Sequence, residues 1–372
     1  MLLFISVGKT HFFTEEYMEH YFSNSFELLK DAYEASSIRG KRVCIVGDTN
    51  TCPLYADAVM SVCKKCFSQV DIFSFPAGEE HKNLMSIETL YEFLLEHHYD
   101  RTDSLLALGG GVVGDMTGFA AATYLRGIKY VQVPTTLLAQ VDSSMGGKTG
   151  VDFKGYKNMV GAFHMPEFVY TNPTVLSTLS DEQFASGMGE VLKSALLADE
   201  DFFGWLLGNM YEIGDRDPET VLEMVKTTAG IKEAIVRRDP TEKGERALLN
   251  LGHTIGHAIE KYKNFELLHG MCVGLGLIAA ASISHERGLI STEELYEIRD
   301  VCFAFGLPIF ADGIDDNEIL RLTKSDKKMA GGQIRFILLK EIGKAFIATD
   351  VTDEELLAGI RFINGDEIVY EE

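Results

Sequence analysis

Four side chains in the second half of the chain give the clearest indication of chemistry. His253, His257 and His269 occur within one stretch of 17 residues, and Glu190 lies upstream in a segment with helical spacing. Three protein ligands of these types bind a zinc-like divalent cation and leave one position open for substrate oxygens. His253 and His257 stand at i and i+4 on one helix face, which favours both as ligands. The spacing alone leaves open which three of the four side chains bind the metal.

A glycine loop in the first half indicates a dinucleotide site. Gly109, Gly111 and Gly114 form G-x-G-x-x-G between a strand-like run and a helix-like run, which is the context in which backbone N–H groups bind a pyrophosphate. No acidic residue follows about 20 positions later, as that motif requires. Asp48 follows an earlier strand instead, so we expect a fold that departs from the usual Rossmann order. Asp115 is either a helix cap or a carboxylate that faces the ligand.

Several basic residues lie beside the glycine and metal motifs. Lys148 follows two glycines, Lys193 lies one helical turn from Glu190, and Arg246 lies one turn before Asn250. We interpret this set as binding the phosphate and carboxylate of an anionic substrate. Its members are Arg126, Lys148, Lys157, Lys193, Lys232, Arg246 and either Lys327 or Lys328.

Composition sets the broad class of protein. The formal net charge of −22 disfavours nucleic-acid binding and long-range steering of anions, so an anion site must be built from local cations. The 372 residues predict two domains. No apolar run has membrane-spanning length, and the start, MLLFISVGKTHFF, is predicted to be a strand rather than a signal peptide. The C-x-x-C pair Cys63 and Cys66 is interpreted as ordinary thiols in a reducing cytoplasm.

The two halves of the chain differ in their pattern of apolar residues. Strand patterns alternate with helix patterns in the first half, as at 42–50, 70–83, 86–100 and 104–111, which predicts a parallel sheet with ligands at the carboxyl ends of its strands. Helical spacing dominates after about residue 178, where Ser180 is a plausible helix start, and 333–351 is predicted to be a hairpin. We therefore predict a Rossmann-like α/β dinucleotide-binding domain over 1–175 and a mainly helical metal- and substrate-binding domain over 176–372.

The ordered motifs of the chain resemble those of 3-dehydroquinate synthase, a member of the sugar-phosphate cyclases, over nearly the whole sequence. The most specific are PAGEEHK (76–82), GGGVVGD (109–115), ATYLRGI (122–128), QVPTTLLAQVDSSMGGKTGVD (132–152), KNMVGAF (157–163), GMGEVLK (187–193), ERALLNLGHTIGHAIE (245–260) and LLHG (267–270). The chain departs from the family pattern at Gly189, Ser194 and Met271-Cys272, where Ala, an aromatic residue and Glu-Ala are usual.

The resemblance implies a metal site of Glu190, His253 and His269, with His257 facing the substrate and Zn²⁺ or, alternatively, Co²⁺ as the ion. It implies NAD contacts from Asp48, Asn50, Glu79, Lys82, Gly110, Gly111, Asp115, Thr135, Thr136, Lys157 and Thr178. It implies catalytic roles for Lys148, Asn158, His257, Lys193 and Arg246. It implies further substrate contacts from Arg126, Asp142, Lys232, Asn250 and a lysine of the Lys327–Lys328 pair.

The implied reaction converts 3-deoxy-D-arabino-heptulosonate 7-phosphate into 3-dehydroquinate and phosphate in the shikimate pathway. NAD takes a hydride and returns it, so the reaction has no net redox change. The resemblance also implies a cytoplasmic homodimer. Three alternatives stay open: another sugar-phosphate cyclase, a metal-dependent polyol or alcohol dehydrogenase, and a non-catalytic NAD-binding protein.

Overall fold

The computed structural model describes residues 18–240, 242, 244–328 and 335–365, without the side chains of 325–328. The strand predicted at the start of the chain and the side chains of Lys327 and Lys328 lie outside the described part. The strands are β1 (Glu19–Phe22), β2 (Arg42–Asp48), β3 (Gln69–Phe75), β4 (Ser104–Gly109), β5 (Lys129–Pro134), β6 (Lys148–Phe153), β7 (Tyr156–Phe163), β8 (Phe168–Thr171), β9 (Phe336–Glu341) and β10 (Lys344–Ala348). The helices are α1 (Leu29–Ala35), α2 (Cys52–Cys63), α3 (Leu84–Glu96), α4 (Gly111–Thr123), α5 (Asp181–Ala198), α6 (Glu200–Gly208), α7 (Met210–Gly214), α8 (Pro218–Arg238), α9 (His253–Tyr262), α10 (His269–Glu286), α11 (Thr292–Ala304), α12 (Asp316–Lys328) and α13 (Asp353–Phe362).

A six-stranded parallel sheet forms the centre of the first half, in the order β1-β8-β5-β4-β2-β3. Every residue of β4 is buried, as expected of a parallel strand that helices cover on both faces. The predicted strands and helices between residues 42 and 134 are confirmed.

The chain reverses direction across the sheet between β2 and β4. From β2 it crosses to β3 on one side and then returns to β4 on the other, so the carboxyl ends of β2 and β4 flank a topological switch point, where α/β sheets bind ligands. Asp48 ends β2 and Gly109 ends β4. The glycine loop thus follows β4 rather than the first strand of the β2–β3 unit, which confirms the expected departure from the usual Rossmann order.

The antiparallel hairpin β6–β7 was not predicted. A Cβ on Gly150 would lie 2.8 Å from the carbonyl oxygen of Val160, and a Cβ on Gly161 would lie 2.2 Å from that of Thr149. The glycines therefore allow the two strands to approach closely while the hairpin packs on α4. Lys148 begins β6, and Asn158 lies in β7.

Helices dominate the second half, as predicted. Ser180 caps α5 by accepting a hydrogen bond from the backbone N–H of Gln183 at 3.3 Å, and the predicted late hairpin is present as the antiparallel pair β9–β10. Glycine permits close helix packing here: a Cβ on Gly276 would lie 1.8 Å from the carbonyl oxygen of Gly252. The resulting fold brings His253 and His269, the first residues of α9 and α10, beside Glu190 in the middle of α5.

Candidate active site

A cavity of about 570 Å³ collects most of the predicted substrate residues. Helices α5, α8, α9 and α10 contribute residues to its lining, and so do the β6–β7 hairpin and the loop before β6. The predicted residues that line it are Asp115, Asp142, Lys148, Asn158, Lys193, Lys232, Arg246, Asn250, His253, His257 and His269.

Glu190 lies at the convergence of two imidazoles. Its Oε1 is 3.5 Å from Nε2 of His253 and 3.3 Å from Nε2 of His269. The side chain is 1% exposed, and neither carboxylate oxygen has a hydrogen-bond partner among the described residues. A buried carboxylate without hydrogen bonds is unfavourable unless it is paired with charge. Lys193 provides part of that charge, and a divalent cation between Glu190 and the imidazoles would provide the rest.

The histidines are held in orientations suited to metal binding. Gly252, with a φ of 77°, adopts a left-handed conformation open mainly to glycine and places His253 at the first position of α9. Nδ1 of His253 lies 3.1 Å from the carbonyl oxygen of Leu251, so a proton on that nitrogen leaves Nε2 free as a ligand. Burial lowers the pKa of His253 to about 3, which keeps the ring neutral.

His269 has a carboxylate behind it. Its Nδ1 lies 3.5 Å from Oε2 of Glu260, a buried residue of α9. Burial alone would lower the pKa of His269, but contacts with Glu190 and Glu260 outweigh burial and raise it to about 9. A carboxylate that accepts from the outer nitrogen of a metal-bound histidine is a recurrent arrangement in metal sites.

Two ligand sets are compatible with this geometry. Ring nitrogens of His253, His257 and His269 all lie within 4.8 Å of one another, and Glu190 approaches His253 and His269 more closely still. The set with Glu190 brings a negative charge to the cation and satisfies its buried oxygens. In this set His257, which lines the cavity, would contact a substrate instead of the metal.

A buried ion network continues from Glu190 into the cavity. Lys193 contacts Glu190 and lies 3.4 Å from Oδ1 of Asp142, which in turn lies 2.6 Å from Nζ of Lys232. Burial would raise the pKa of Asp142, yet the two lysines lower it. Burial lowers the pKa of Lys232. The network fixes both ammonium groups in the cavity that the histidines also line.

The cavity lining also carries a second group of polar and cationic side chains. Lys148, Arg246 and Asn250 belong to it, as predicted for an anion site. The guanidinium of Arg246 is buried and donates to the carbonyl oxygen of Pro240 at 2.7 Å. Glu242, which the sequence analysis did not single out, lies between Lys148 and Asn250.

The predicted NAD residues lie around the switch point and the glycine loop. Gly110 precedes α4, and a Cβ on it would lie 3.0 Å from Cγ2 of Thr136. A Cβ on Gly111 would lie 3.1 Å from Oγ of Ser143. Oγ1 of Thr135 is buried without a hydrogen-bond partner among the described residues. Small residues, an unused hydroxyl and a helix N-terminus fit a dinucleotide phosphate.

Lysines connect this region to the cavity. Nζ of Lys82 donates to Asp115 and to Asn158, both at 2.6 Å. Because Gly110 is the residue that precedes α4 and no side chain caps the helix, Asp115 is not a cap, and the interpretation as a cavity-facing carboxylate is favoured. Lys157 lies 3.8 Å from Glu79 and donates to Glu260 at 2.9 Å.

The remaining predicted residues lie outside the cavity lining. Oδ1 of Asp48 accepts from the backbone N–H of Asn50 at 3.0 Å and so shapes the loop after β2. Thr178 contacts the hydroxyl of Tyr55. Arg126 is exposed and does not belong to the described residues that line the cavity. Lys327 and Lys328 lie outside the described side chains.

Burial raises the pKa of both Cys63 and Cys66, which does not favour thiolate chemistry. None of the described helices is both long enough and apolar enough to cross a membrane.

Sequence reasoning missed Glu242 and Glu260, although each is a carboxylate close in sequence to a predicted site residue.

Comparison with known proteins agrees with this site. The 3-dehydroquinate synthase N-terminal family profile matches residues 72–186, and the 3-dehydroquinate synthase C-terminal profile matches residues 187–329. A 3-dehydroquinate synthase of Acetivibrio thermocellus is 42% identical over 342 residues, which cover 91% of this chain and 93% of the relative.

Solved structures of two sugar cyclases share the fold. The 2-epi-5-epi-valiolone synthase of Streptomyces hygroscopicus subsp. jinggangensis, with NAD⁺ and Zn²⁺ bound, is 26% identical at a TM-score of 0.86, covering 96% of this chain and 99% of that one. A 2-deoxy-scyllo-inosose synthase with NAD⁺ and Co²⁺ is 25% identical at a TM-score of 0.82, covering 92% and 96%. Both domain profiles, the long alignment and the shared architecture agree: the chain belongs to the 3-dehydroquinate synthase family.

Proposed function

We propose that the chain converts 3-deoxy-D-arabino-heptulosonate 7-phosphate into 3-dehydroquinate and phosphate, with NAD and a divalent metal as cofactors. The observation that supports this most directly is the approach of Glu190 to His253 and His269, together with Lys148 and Arg246 in the lining of the same cavity as these two histidines. Such a cavity combines a place for a cation with a place for a phosphate and a carboxylate.

The cofactors would supply reversible hydride transfer and polarisation of the substrate oxygens. The side chains of this chain would position the substrate around them. Lys148 and Asn158 would bind the phosphate, and His257 would move protons at the neighbouring hydroxyls. Lys232 and Arg246 would hold the carboxylate or hydroxyl groups. Lys193 and Asp142, which are fixed in the buried network, would orient the hydroxyls beside the metal.

The test is phosphate release from the heptulosonate phosphate, with NAD present and with or without a chelator. We expect stoichiometric phosphate and 3-dehydroquinate, loss of turnover with the chelator, recovery with Zn²⁺ or Co²⁺, and no accumulation of NADH. Accumulation of NADH would instead support a polyol or alcohol dehydrogenase. If neither phosphate nor 3-dehydroquinate forms in the presence of NAD and metal, the result would support a non-catalytic NAD-binding protein.

Another sugar-phosphate cyclase activity is the second candidate, because the valiolone and inosose synthases share the fold at high TM-scores. The predicted anion-binding set of Lys148, Lys232, Arg246 and Asn250 argues for the heptulosonate substrate, because all four line the cavity and Lys232 and Arg246 can hold a carboxylate in addition to the phosphate. A panel of heptulosonate phosphate, heptulose 7-phosphate and glucose 6-phosphate distinguishes the candidates by kcat/KM.

We also propose a cytoplasmic homodimer, with domain limits of 1–175 and 176–372. The domain limits are supported by separate apolar clusters: most of the large helical cluster lies after residue 176, whereas the two sheet clusters lie between residues 29 and 170. Sedimentation of the purified protein tests the dimer, and separate expression of the two segments tests the limits.

A further inference from the structure

The carboxylate of Glu242 lies inside the group of residues proposed to bind the substrate anion. It contacts Nζ of Lys148, and its Oε1 accepts a hydrogen bond from Nδ2 of Asn250 at 3.0 Å. Its side chain is 27% exposed and belongs to the cavity lining. The groups that would bind a phosphate or carboxylate oxygen are therefore already engaged by a carboxylate of the chain itself.

We infer that Glu242 is an internal anion that competes with the anionic part of the substrate for Lys148 and Asn250. The inference rests on the proposed function for the class of ligand, an organic phosphate, and deepens it by naming a residue that sets affinity and selectivity. An incoming phosphate reproduces both contacts with its own oxygens, and the Glu242 side chain then turns toward solvent.

The described residues on either side of Glu242 are held by contacts of their own. Oδ2 of Asp239 accepts from the backbone N–H of Gly244 at 2.7 Å and of Arg246 at 3.1 Å. The Arg246 guanidinium is fixed by the carbonyl oxygens of Pro240 at 2.7 Å and Gly146 at 3.5 Å. The Glu242 carboxylate can thus leave Lys148 while Asp239 and Arg246 keep their positions.

The difference in charge favours a phosphate over the Glu242 carboxylate. The Glu242 carboxylate carries one negative charge, whereas a phosphate monoester carries about 1.5 to 2 near pH 7. Lys148 and the adjacent Arg246 therefore favour the phosphate, while a ligand without that charge cannot displace the carboxylate. Glu242 consequently raises the discrimination between phosphorylated and unphosphorylated sugars at the cost of absolute affinity.

The test measures binding of inorganic phosphate to the full chain, loaded with NAD and Zn²⁺, by titration calorimetry. Glu242→Gln keeps the shape of the side chain and removes its charge, so we expect phosphate to bind roughly tenfold more tightly. Glu242→Asp, which retains the charge on a shorter side chain, should give an intermediate affinity. Glu245→Gln is the matched control on the same loop, because Glu245 pairs with Arg238 on the surface, and its affinity should stay at the wild-type value.

Equal or weaker phosphate binding by both Glu242 variants would overturn the inference, and so would absence of measurable binding to wild type and variants alike. If Glu242→Gln fails to fold, as judged by circular dichroism, the Glu242→Asp result decides. Conversion of the heptulosonate phosphate by the wild type is recorded in parallel. Unchanged phosphate affinity in an enzyme that still forms 3-dehydroquinate would reject the role of Glu242 and leave the proposed function intact.

Discussion

The carboxylate of Glu260 lies 3.5 Å from Nδ1 of His269. Its other oxygen accepts a hydrogen bond from Lys157 of β7 at 2.9 Å. One buried side chain of α9 therefore joins a proposed metal ligand to a lysine predicted to contact NAD. Burial would raise the pKa of Glu260, but its contacts with His269 and Lys157 outweigh burial and lower that pKa to about 2. The carboxylate is consequently ionised and able to orient the imidazole.

Substitution Glu260→Gln should weaken metal binding. The amide keeps the volume of the side chain but accepts less strongly from His269, and loss of such outer contacts weakens metal sites by about 10- to 100-fold. The measurement is the Zn²⁺ dissociation constant by competition with a fluorescent chelator. Glu266→Gln, at an exposed position nearby, is the control, and equal affinities in the two variants would contradict the role of Glu260.

Two further variants separate the possible ligand sets. Glu190→Gln should abolish stoichiometric metal, because it removes the charge shared between the two imidazoles, whereas His257→Ala should retain the metal and lose turnover. Metal content after dialysis, measured by atomic emission, gives the answer without an activity assay. Retention by Glu190→Gln together with loss by His257→Ala would assign the site to the three histidines.

Lys148→Ala should lower kcat/KM for the phosphorylated substrate by about 10- to 100-fold, which is the range for one hydrogen bond to a charged group. Its side chain is 56% exposed, so folding should be unaffected. Steady-state kinetics and thermal unfolding together check both statements. Turnover equal to that of the wild type would remove Lys148 from the proposed anion site.

Gly189→Ala tests the close packing beside the proposed metal ligands. A Cβ at this position would lie 2.3 Å from the carbonyl oxygen of Gly270, so α5 and α10 must separate, which should lower the free energy of unfolding by about 1–3 kcal/mol. Zn²⁺ affinity should fall as well, because Glu190 and His269 adjoin the two glycines. Urea unfolding and chelator competition provide the two values.

Gly204→Ala is the matched control for that substitution. Gly204 lies inside α6 and has open space where a Cβ would be placed. Replacement by alanine should therefore raise the free energy of unfolding by about 0.5–1 kcal/mol. If Gly189→Ala behaves like Gly204→Ala, close packing at Gly189 is not required.

The sequence predicted those features that depend on local pattern. Alternation of apolar runs with helical spacing was enough for β2 and α3, and Ser180 was recognised as a helix start from its own residue type and its neighbours. The β6–β7 hairpin was missed, because Gly150 and Gly161 weaken the strand pattern while they permit the close pairing seen in the structure. Pairing of this kind depends on which segments meet, and local propensity does not encode that.

The residues of the candidate site were likewise predictable only where the evidence for them is local in the sequence. The i, i+4 spacing favoured His253 and His257 as a ligand pair, yet the approach of Glu190 depends on how α10 packs against both α5 and α9. Glu242 and Glu260 escaped notice because their partners Lys148 and Lys157 lie 94 and 103 residues away along the chain. A glutamate on a helix or loop is usually a solvated surface residue, so only the fold reveals its role.

Backbone contacts at glycines set the separation of α9 and α10. A Cβ on Gly256 would lie 2.7 Å from the carbonyl oxygen of Cys272, and one on Gly276 would lie 1.8 Å from that of Gly252. The atoms nearest to these glycines are backbone atoms of the other segment, so the glycines limit the spacing of the two helices more than the rotamers of larger side chains do. The two imidazoles should accordingly keep their mutual distance through sequence drift in the surrounding interior, and mutational sensitivity should concentrate at the glycines themselves.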